Sequence, residues 1–426
     1  MLFVFSLFSA QLLRLQALDA SPVASAALKS RLFVGAVPAM RGDITDASGV
    51  VLATSVERRN VTADQSAVPE YKKKGQTVGV AGAAADLAPI LGKSEAELVA
   101  TLTGSRRFVY IAKGIIPLNW RKIQALVIPG IFSEQTSTRS YPSSSAVASL
   151  VGWVGADGAG GGGLELLLNR QLDGKPGHST YEQSADGRII PTGAQQTTPA
   201  VTGRDVRLTI DNDLQWFAQN AIAQKVDETL ALSGTVVVMR VKTAQLVAVA
   251  SYPTFDPNSI STASGNLNNK AFGEAFEPGS IAKVMTAAAA LQEGVATPAT
   301  PVVVPNRLSR AGQSFRDSHD HGIEKLTFAG VIAQSSNIGT MMVGEKVPPA
   351  TLEKYFRSFG VGQKSGIEFP GETAGIFASS KDWSVSQRYT VMYGQGLAVN
   401  AIQTAGVFQT IANGGVRVPP TLVAGT

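Results

Sequence analysis

The chain has 426 residues, of which 44% are hydrophobic and 16% are charged, a composition that excludes an intrinsically disordered chain and a multi-span membrane protein. It contains no cysteine, which excludes disulfide frameworks, iron–sulfur clusters and thiol nucleophiles. With three histidines and a net charge of +5 at pH 7, and with basic clusters that lack interleaved aromatic residues, we predict no metal, no cofactor and no nucleic-acid partner.

The N-terminus is strongly apolar. Residues 1–13 contain no charged side chain, but this segment is shorter than the roughly 20 residues that span a membrane. A cleavable secretory signal would have a basic residue before the apolar segment, and none is present here. The pattern predicts that residues 1–15 are the distal part of a signal anchor whose cytoplasmic start lies outside this sequence. The alternative is a buried N-terminal helix.

Turn-forming residues are frequent between residues 31 and 200, and the predicted elements are short. They are one strand and two helices, at residues 50–54, 83–91 and 94–102. Ser94 is placed to cap the second helix, with Glu97 as its capping-box partner. We place a domain boundary near residue 200, after the glycine-rich stretch 193–203.

Beyond residue 200 the pattern is typical of an α+β domain. Asp211 is placed to cap a helix. The apolar face of this helix would consist of Leu214, Phe217, Ala218, Ala221 and Ile222. The valine-rich segments 235–241 and 246–251 predict a β-hairpin, and segment 326–333 and the residues from Met341 onward predict helices. We therefore expect an antiparallel sheet flanked by helices.

The sequence EPGSIAK at residues 277–283 contains the first candidate catalytic residues. A helix is predicted to begin near Ser280, after the Pro-Gly pair. Lys283 is the only charged residue between residues 281 and 292, so we expect it to be buried and largely neutral. Serine and lysine at this spacing share a helix face, where the lysine can accept the serine proton and the helix N-terminus can stabilise an oxyanion. The pattern S-x-x-K also arises by chance, but Lys283 is the only lysine here that completes it.

The second candidate is the S-x-N tripeptide at residues 335–337, which we expect to form a loop between two helices. In such a loop Ser335 can relay a proton and Asn337 can bind a substrate amide. The competing tripeptide Ser264-Gly265-Asn266 lies in a polar region that is typical of a turn. The predicted catalytic residues are Ser280, Lys283, Ser335 and Asn337.

The pair S-x-x-K followed by S-x-N resembles the signature of penicillin-binding proteins and serine β-lactamases. Six further segments resemble motifs of the class B penicillin-binding proteins, which are monofunctional transpeptidases. These segments are RGDITDASG (41–49), RSYP (139–142), GLE (163–165), FDPN (255–258), YGQG (393–396) and IANGG (411–415). The resemblance extends from residue 31 to the end of the sequence.

The resemblance implies a multidomain α+β protein. After the partial anchor at residues 1–15 it implies a β-rich pedestal, or dimerisation-like domain, at residues 31–200 and a transpeptidase domain at residues 201–426. The family's third motif, K-[ST]-G, is matched literally by Lys364-Ser365-Gly366, but glycines surround this tripeptide and no β-branched run makes it a strand. We expect the true motif to lie beyond Thr426 and the chain as given to be weakly active or inactive.

The implied function is that of a peptidoglycan D,D-transpeptidase, in septal cell division rather than elongation. In this reading Ser280 forms the acyl-enzyme with a stem peptide, Lys283 is the base, Ser335 relays a proton and Asn337 binds the substrate amide. Implied partners are peptidoglycan stem peptides, β-lactams as covalent inhibitors, a membrane glycosyltransferase and other division proteins. The implied location is the bacterial cell membrane, with a single-pass anchor and an extracytoplasmic catalytic domain. The alternatives are a non-catalytic β-lactam-binding scaffold or sensor of the division machinery and a serine β-lactamase.

Overall fold

The computed structural model describes residues 2–14, 25, 28, 31–182, 195–265 and 267–425. The chain divides into two compact units, and each unit is assembled from segments that are distant in sequence. Unit 1 consists of Met1–Asp43, Thr54–Ser140 and Arg170–Arg204. Unit 2 consists of Ile44–Ala53, Tyr141–Asn169 and Asp205–Thr426.

Unit 1 contains two larger antiparallel sheets. In the first, the strand Val51–Ala63, whose residues from Thr54 onward belong to this unit, pairs with Val109–Ile115 and with Ile131–Ser140. This strand confirms the prediction at residues 50–54 and is longer, since valines and threonines, which favour strands, recur along it. The second sheet consists of Leu32–Val37, Gly177–Glu182 and Gln195–Thr198. Separately, Lys72–Lys73 and Gln76–Thr77 form a small hairpin.

Both helices predicted in unit 1 are confirmed. The first, Gly79–Leu91, begins earlier than expected and includes Pro89. The second, Glu95–Leu102, is capped by Ser94, whose Oγ accepts a hydrogen bond from the Glu97 N–H at 3.2 Å. Among the residues that the structure describes, the other helices of this unit are Leu2–Leu13, Val68–Glu70 (3-10) and Pro117–Ala125. Within the part of the chain that the structure describes, no helix has the length and apolar character needed to cross a membrane.

Unit 2 contains the predicted β-hairpin, which consists of Gly234–Met239 and Leu246–Tyr252. The helices Asn212–Thr229 and Ala401–Ala412 contact this hairpin, so the expected combination of antiparallel strands with flanking helices is present. The remaining strands are Ile44–Thr45 with Val206–Arg207 and the start of Val51–Ala63, Pro301–Val304 with Glu324–Thr327, and Leu308–Arg310 with Gln313–Phe315.

The helix Lys283–Gln292 is buried, and most of its apolar residues belong to the main hydrophobic core of unit 2. Several other helices are described in this unit. They are Ala148–Val151, Gly163–Leu167, Lys270–Gly273, Phe328–Ala333, Asn337–Gly344, Pro349–Ser358 and Gln387–Thr390, with the short 3-10 helices Ser144–Ala146, Pro257–Thr262, Gly279–Ala282 and Val391–Tyr393. The short helix Asn169–Leu172 has residues in both units.

The helix Asn212–Thr229 begins where predicted, with the Asp211 side chain accepting hydrogen bonds from two backbone N–H groups. The predicted apolar face is wrong in part, because Phe217 is 65% exposed and Ala221 is also exposed. Two glutamines occupy the buried face instead. Gln215 exchanges hydrogen bonds of 2.7 and 3.1 Å with the backbone of Val249, and Gln219 bonds to Ser251 in the same way. The glutamines satisfy strand groups that would be costly to bury without a partner.

The helix predicted at residues 326–333 is also wrong at its start. Residues Glu324–Thr327 form a strand that pairs with Pro301–Val304. The helix begins at Phe328, and Thr327 caps it by accepting a hydrogen bond from the Gly330 N–H at 3.1 Å.

Candidate active site

Ser280 lies at the entrance to the buried helix. A 3-10 turn, Gly279–Ala282, leads directly into the helix Lys283–Gln292, so the predicted start near Ser280 is confirmed. Gly279 has a φ of 55°, and its N–H donates to the Gly394 carbonyl at 3.0 Å. A Cβ on Gly394 would lie 2.0 Å from the Gly279 oxygen. Gly394 of YGQG therefore allows its backbone to lie against that of Gly279, the residue before the exposed Ser280.

Lys283 is 2% exposed and connects the two predicted serines. Its Nζ donates to Ser280 Oγ at 3.2 Å and to Ser335 Oγ at 3.0 Å, and it also donates to the Ser335 carbonyl. Burial lowers the pKa of Lys283 to about 8, and the charge of Asp317 opposes this effect. At pH 7 most of the amine is then protonated, so the expectation of a largely neutral Lys283 is wrong. The three acceptors and the charge of Asp317 stabilise the ammonium.

The S-x-N tripeptide forms a tight turn that flows into a helix. Ser335 has a φ of 57°, a left-handed conformation that is uncommon for serine. Ser336 caps the helix Asn337–Gly344 by accepting a hydrogen bond from the Gly339 N–H at 2.8 Å. The expected loop is therefore shorter than predicted, because Asn337 is already helical.

Asn337 lies beside this arrangement in sequence, and its Nδ2 donates to the Arg316 carbonyl at 3.1 Å. Among the described residues, none of the hydrogen bonds joins Asn337 to Ser280 or Lys283. The structure thus brings Lys283 into hydrogen-bond contact with both Ser280 and Ser335, whereas Asn337, two residues after Ser335, bonds to the Arg316 carbonyl instead.

Asp317 and His321 were missed by sequence reasoning. Asp317 is 7% exposed and accepts hydrogen bonds from Ser336 Oγ at 2.7 Å and from the Ile338 N–H at 3.0 Å. His321 Nε2 lies 3.2 Å from Asp317 Oδ2. His321 is four residues from Asp317, but the partners that join Asp317 to the S-x-N region, Ser336 and Ile338, lie 19 and 21 residues later in the chain, so no local pattern indicates this contact.

The tripeptide Lys364-Ser365-Gly366 forms no strand, as predicted. Lys364 is exposed, whereas Ser365 is 8% exposed. The Ser365 N–H donates to Glu372 Oε1 at 2.6 Å, and the Ile367 N–H donates to Ser365 Oγ at 3.2 Å. These bonds close a local loop. The other decoy, Ser264-Gly265-Asn266, includes Asn266, which lies outside the described residues.

Residues of three of the remaining motifs have hydrogen-bond partners within unit 2. In unit 2 the Asp46 carboxylate accepts three backbone hydrogen bonds, including one from Asn212 at 3.1 Å. Burial alone would raise the pKa of Asp46, but these bonds and one from the Ser48 hydroxyl lower it below its ordinary value. The Asn258 side chain exchanges two hydrogen bonds of 3.0 Å with the backbone of Tyr141, which ties FDPN to RSYP.

Comparisons with known proteins identify both domains of the chain. Residues 234–426 match the penicillin-binding protein transpeptidase domain, and residues 36–208 match the penicillin-binding protein dimerisation domain. Penicillin-binding protein PbpB of Mycolicibacterium smegmatis is 33% identical over 99% of this chain and 68% of its own length. Peptidoglycan D,D-transpeptidase FtsI of Escherichia coli is 31% identical over 91% of this chain and 65% of its own length.

A solved structure extends the agreement to the fold. Penicillin-binding protein 3 of Mycobacterium tuberculosis, complexed with aztreonam, matches with a TM-score of 0.66 and 29% identity, over 91% of this chain and 67% of its own. The present sequence spans about two thirds of the length of each of these three proteins. The two domain matches, the relatives and the fold give one answer: the chain belongs to the penicillin-binding proteins, in the class B branch that joins a dimerisation domain to a transpeptidase domain.

Proposed function

We propose that this protein is a peptidoglycan D,D-transpeptidase that acts through an acyl-enzyme on Ser280. One observation carries the proposal: Lys283 Nζ lies within hydrogen-bond distance of Ser280 Oγ, at 3.2 Å, and of Ser335 Oγ, at 3.0 Å. The Lys283 amine can therefore exchange protons both with the attacking hydroxyl of Ser280 and with the hydroxyl of Ser335. The pKa of Lys283, lowered by burial to about 8, supplies a neutral fraction that can accept a proton near neutral pH.

In the acylation step Ser280 Oγ passes its proton to neutral Lys283 and attacks the carbonyl carbon of the penultimate D-Ala of a stem peptide. The new C–O bond places negative charge on the carbonyl oxygen, and the Ser280 N–H at the helix start supplies one hydrogen bond to it. The C–N bond to the terminal D-Ala then breaks. The departing amine takes a proton from Lys283 through Ser335, which leaves the ester and neutral Lys283.

In the second step an amine of a neighbouring stem peptide attacks the ester carbon. The C–N bond forms and the C–O bond to Ser280 breaks, while the proton lost by the attacking amine returns to Ser280 Oγ by way of Ser335 and Lys283. Asn337 supplies an amide group to hold the substrate amide. The reaction consumes no oxidant, reductant or water.

The decisive experiment incubates the full-length protein with a fluorescent penicillin and, separately, with a D-Ala-D-Ala donor peptide and an amine acceptor. We expect a covalent adduct on Ser280 by mass spectrometry and a cross-linked peptide product with release of D-Ala. Repeated hydrolysis of a chromogenic cephalosporin would instead identify a serine β-lactamase. Penicillin labelling with no acyl transfer from any donor peptide would favour the scaffold or sensor.

We propose that the protein is anchored in the bacterial cell membrane, with the apolar helix Leu2–Leu13 as part of a single-pass anchor and the catalytic domain outside the cytoplasm. We also propose the domain limits given by the sequence, a pedestal at residues 31–200 and a transpeptidase domain at residues 201–426. The matches at residues 36–208 and 234–426 support these limits. Digestion of intact spheroplasts by an added protease tests the orientation, since cytoplasmic protein would survive it.

We propose that the protein works in septal division with a membrane glycosyltransferase and other division proteins. The similarity to PbpB and FtsI supports this role over one in elongation. Depletion of the protein should then produce filaments with blocked septa. Rounded cells with normal septa would place it in elongation, and affinity capture after cross-linking should recover the glycosyltransferase from dividing cells.

A further inference from the structure

A buried carboxylate supports the turn that carries Ser335. Both oxygens of Asp317 accept hydrogen bonds from the start of the helix Asn337–Gly344: Oδ2 accepts from the Oγ of its cap, Ser336, at 2.7 Å, and Oδ1 accepts from the Ile338 N–H at 3.0 Å. Ser336 Oγ in turn accepts from the Gly339 N–H at 2.8 Å. Asp317 therefore fixes the first turn of the helix Asn337–Gly344, and with it the position of the residue before that turn, Ser335.

His321 contacts the same carboxylate, at the oxygen that Ser336 also binds. Its side chain is 7% exposed, and its Nε2 lies 3.2 Å from Asp317 Oδ2. Its Nδ1 lies 2.6 Å from the Gly322 carbonyl and 3.9 Å from Glu324 Oε2. Both ring nitrogens thus face acceptors, an arrangement that only the imidazolium can satisfy with two donors. The Gly322 carbonyl foremost, and also Glu324 and Asp317, raise the pKa of His321 against the effect of burial.

The pair acts on Lys283 in two ways. The Ser335 turn presents a hydroxyl and a carbonyl oxygen to Lys283 Nζ, so any movement of Ser336 changes the surroundings of the amine. The negative charge of Asp317 also raises the pKa of Lys283, against the larger effect of burial. The charged groups facing this network are Lys283 itself, His321 and Glu324, with the ring of His319 at 6.0 Å from that of His321.

We propose that Asp317, in contact with His321, is a positioning residue for the proposed acylation. Asp317 fixes the turn that presents Ser335 to Lys283. Its negative charge, partly neutralised by the positive charge of His321, also favours the protonated form of the Lys283 amine. This inference rests on the proposed function, because it assumes that Lys283 is the base for Ser280.

The test measures the rate constant of penicillin acylation from pH 5.5 to 9.5 in wild type, Asp317→Asn and His321→Gln. In Asp317→Asn the loss of the anchor should slow acylation about 10- to 100-fold at the optimum. Loss of its negative charge should also move the acid limb to lower pH, because the ammonium of Lys283 is then less stabilised. In His321→Gln the new amide can still donate a hydrogen bond to Asp317, but the positive charge is lost. The negative charge of Asp317 then stabilises the ammonium of Lys283 more strongly, so the acid limb should move to higher pH.

Asp320→Asn is the matched control. Asp320 lies in the same loop, pairs with Arg307 at 2.9 Å and has a side chain that is 70% exposed, so neither the rate nor the limb should change. Limbs that stay in place, or move in the same direction, in Asp317→Asn and His321→Gln would overturn the inference, because a purely structural role lowers the rate equally at every pH. Absence of labelling in the wild type would instead overturn the proposed function, and this inference with it. If Asp317→Asn does not fold, judged by thermal unfolding, the shift in His321→Gln alone decides.

Discussion

Two lysine–serine pairs of unit 2 match motifs in the sequence, and they differ in which side chain is buried. In the first pair Lys283 is 2% exposed and Ser280 is exposed. In the second, Ser365 is 8% exposed and Lys364 is exposed. A buried amine loses hydration and can become a base, and an exposed hydroxyl can meet a substrate. The opposite arrangement leaves an ammonium in water and a hydroxyl closed in its own loop, so the same residue types provide no nucleophile there.

The largest expected difference between the pairs concerns covalent labelling. Ser280→Ala should abolish labelling by a fluorescent penicillin, because the attacking oxygen is absent. Ser365→Ala, the matched control, should be labelled as fast as wild type. Gel fluorescence and the mass of the labelled peptide measure both. Label retained by the Ser280 variant would move the nucleophile elsewhere and end the comparison.

The lysines provide the second test. Lys283→Arg should slow acylation about 100- to 10,000-fold, because arginine stays charged and cannot accept the Ser280 proton. Lys364→Arg should leave the rate unchanged, since Lys364 is exposed and belongs to a separate loop. Stopped-flow acylation gives the rates, and circular dichroism checks the fold. Equal losses in the two variants would contradict the assignment of Lys283 as base.

The pH dependence sharpens the same contrast. In the proposed mechanism the neutral form of Lys283 is the base, and burial lowers the pKa of Lys283 to about 8. Acylation should therefore rise about tenfold for each pH unit below 8 and level off above it. Lys364→Ala should show the same curve as wild type. A rate that is independent of pH between 6 and 8 would show that deprotonation of Lys283 does not limit acylation.

The sequence predicted the parts of the site that depend on local spacing. Ser280 and Lys283 are three residues apart, and a helix start brings such residues together whatever surrounds it. Ser335 was identified only as a motif, and its contact with Lys283, 52 residues earlier, depends on packing. Asp317 was missed because its contacts with Ser336 and Ile338, 19 and 21 residues later, also depend on packing.

The errors have the same origin. Phe217 was predicted to be buried from its helical spacing, but Gln215 takes the buried position because strand groups need its amide. Lys283 was predicted to be largely neutral because its own helix has no other charge. The charge that stabilises its protonated form, on Asp317, comes from a different part of the chain.

The smallest predicted effect concerns the glycines next to Ser280 and Ser365. Gly279 precedes Ser280 with a φ of 55°, and Gly366 follows Ser365 with a φ of 92°. A Cβ at either position would meet no atom within 4 Å, so alanine costs only the strain of a positive φ, about 1–2 kcal/mol in the free energy of unfolding. Denaturant unfolding should show this loss in both Gly279→Ala and Gly366→Ala.

Only one of these two variants should lose reactivity. Relaxation of residue 279 toward a negative φ rotates the peptide that leads into Ser280 and weakens the 3.0 Å hydrogen bond to the Gly394 carbonyl, so acylation should fall about tenfold or more. Gly366→Ala strains a loop that closes on Glu372 and should acylate at the wild-type rate. A matching loss of acylation in both variants would mean that the Lys364-Ser365-Gly366 loop also shapes the site, and the contrast between the two pairs would then fail.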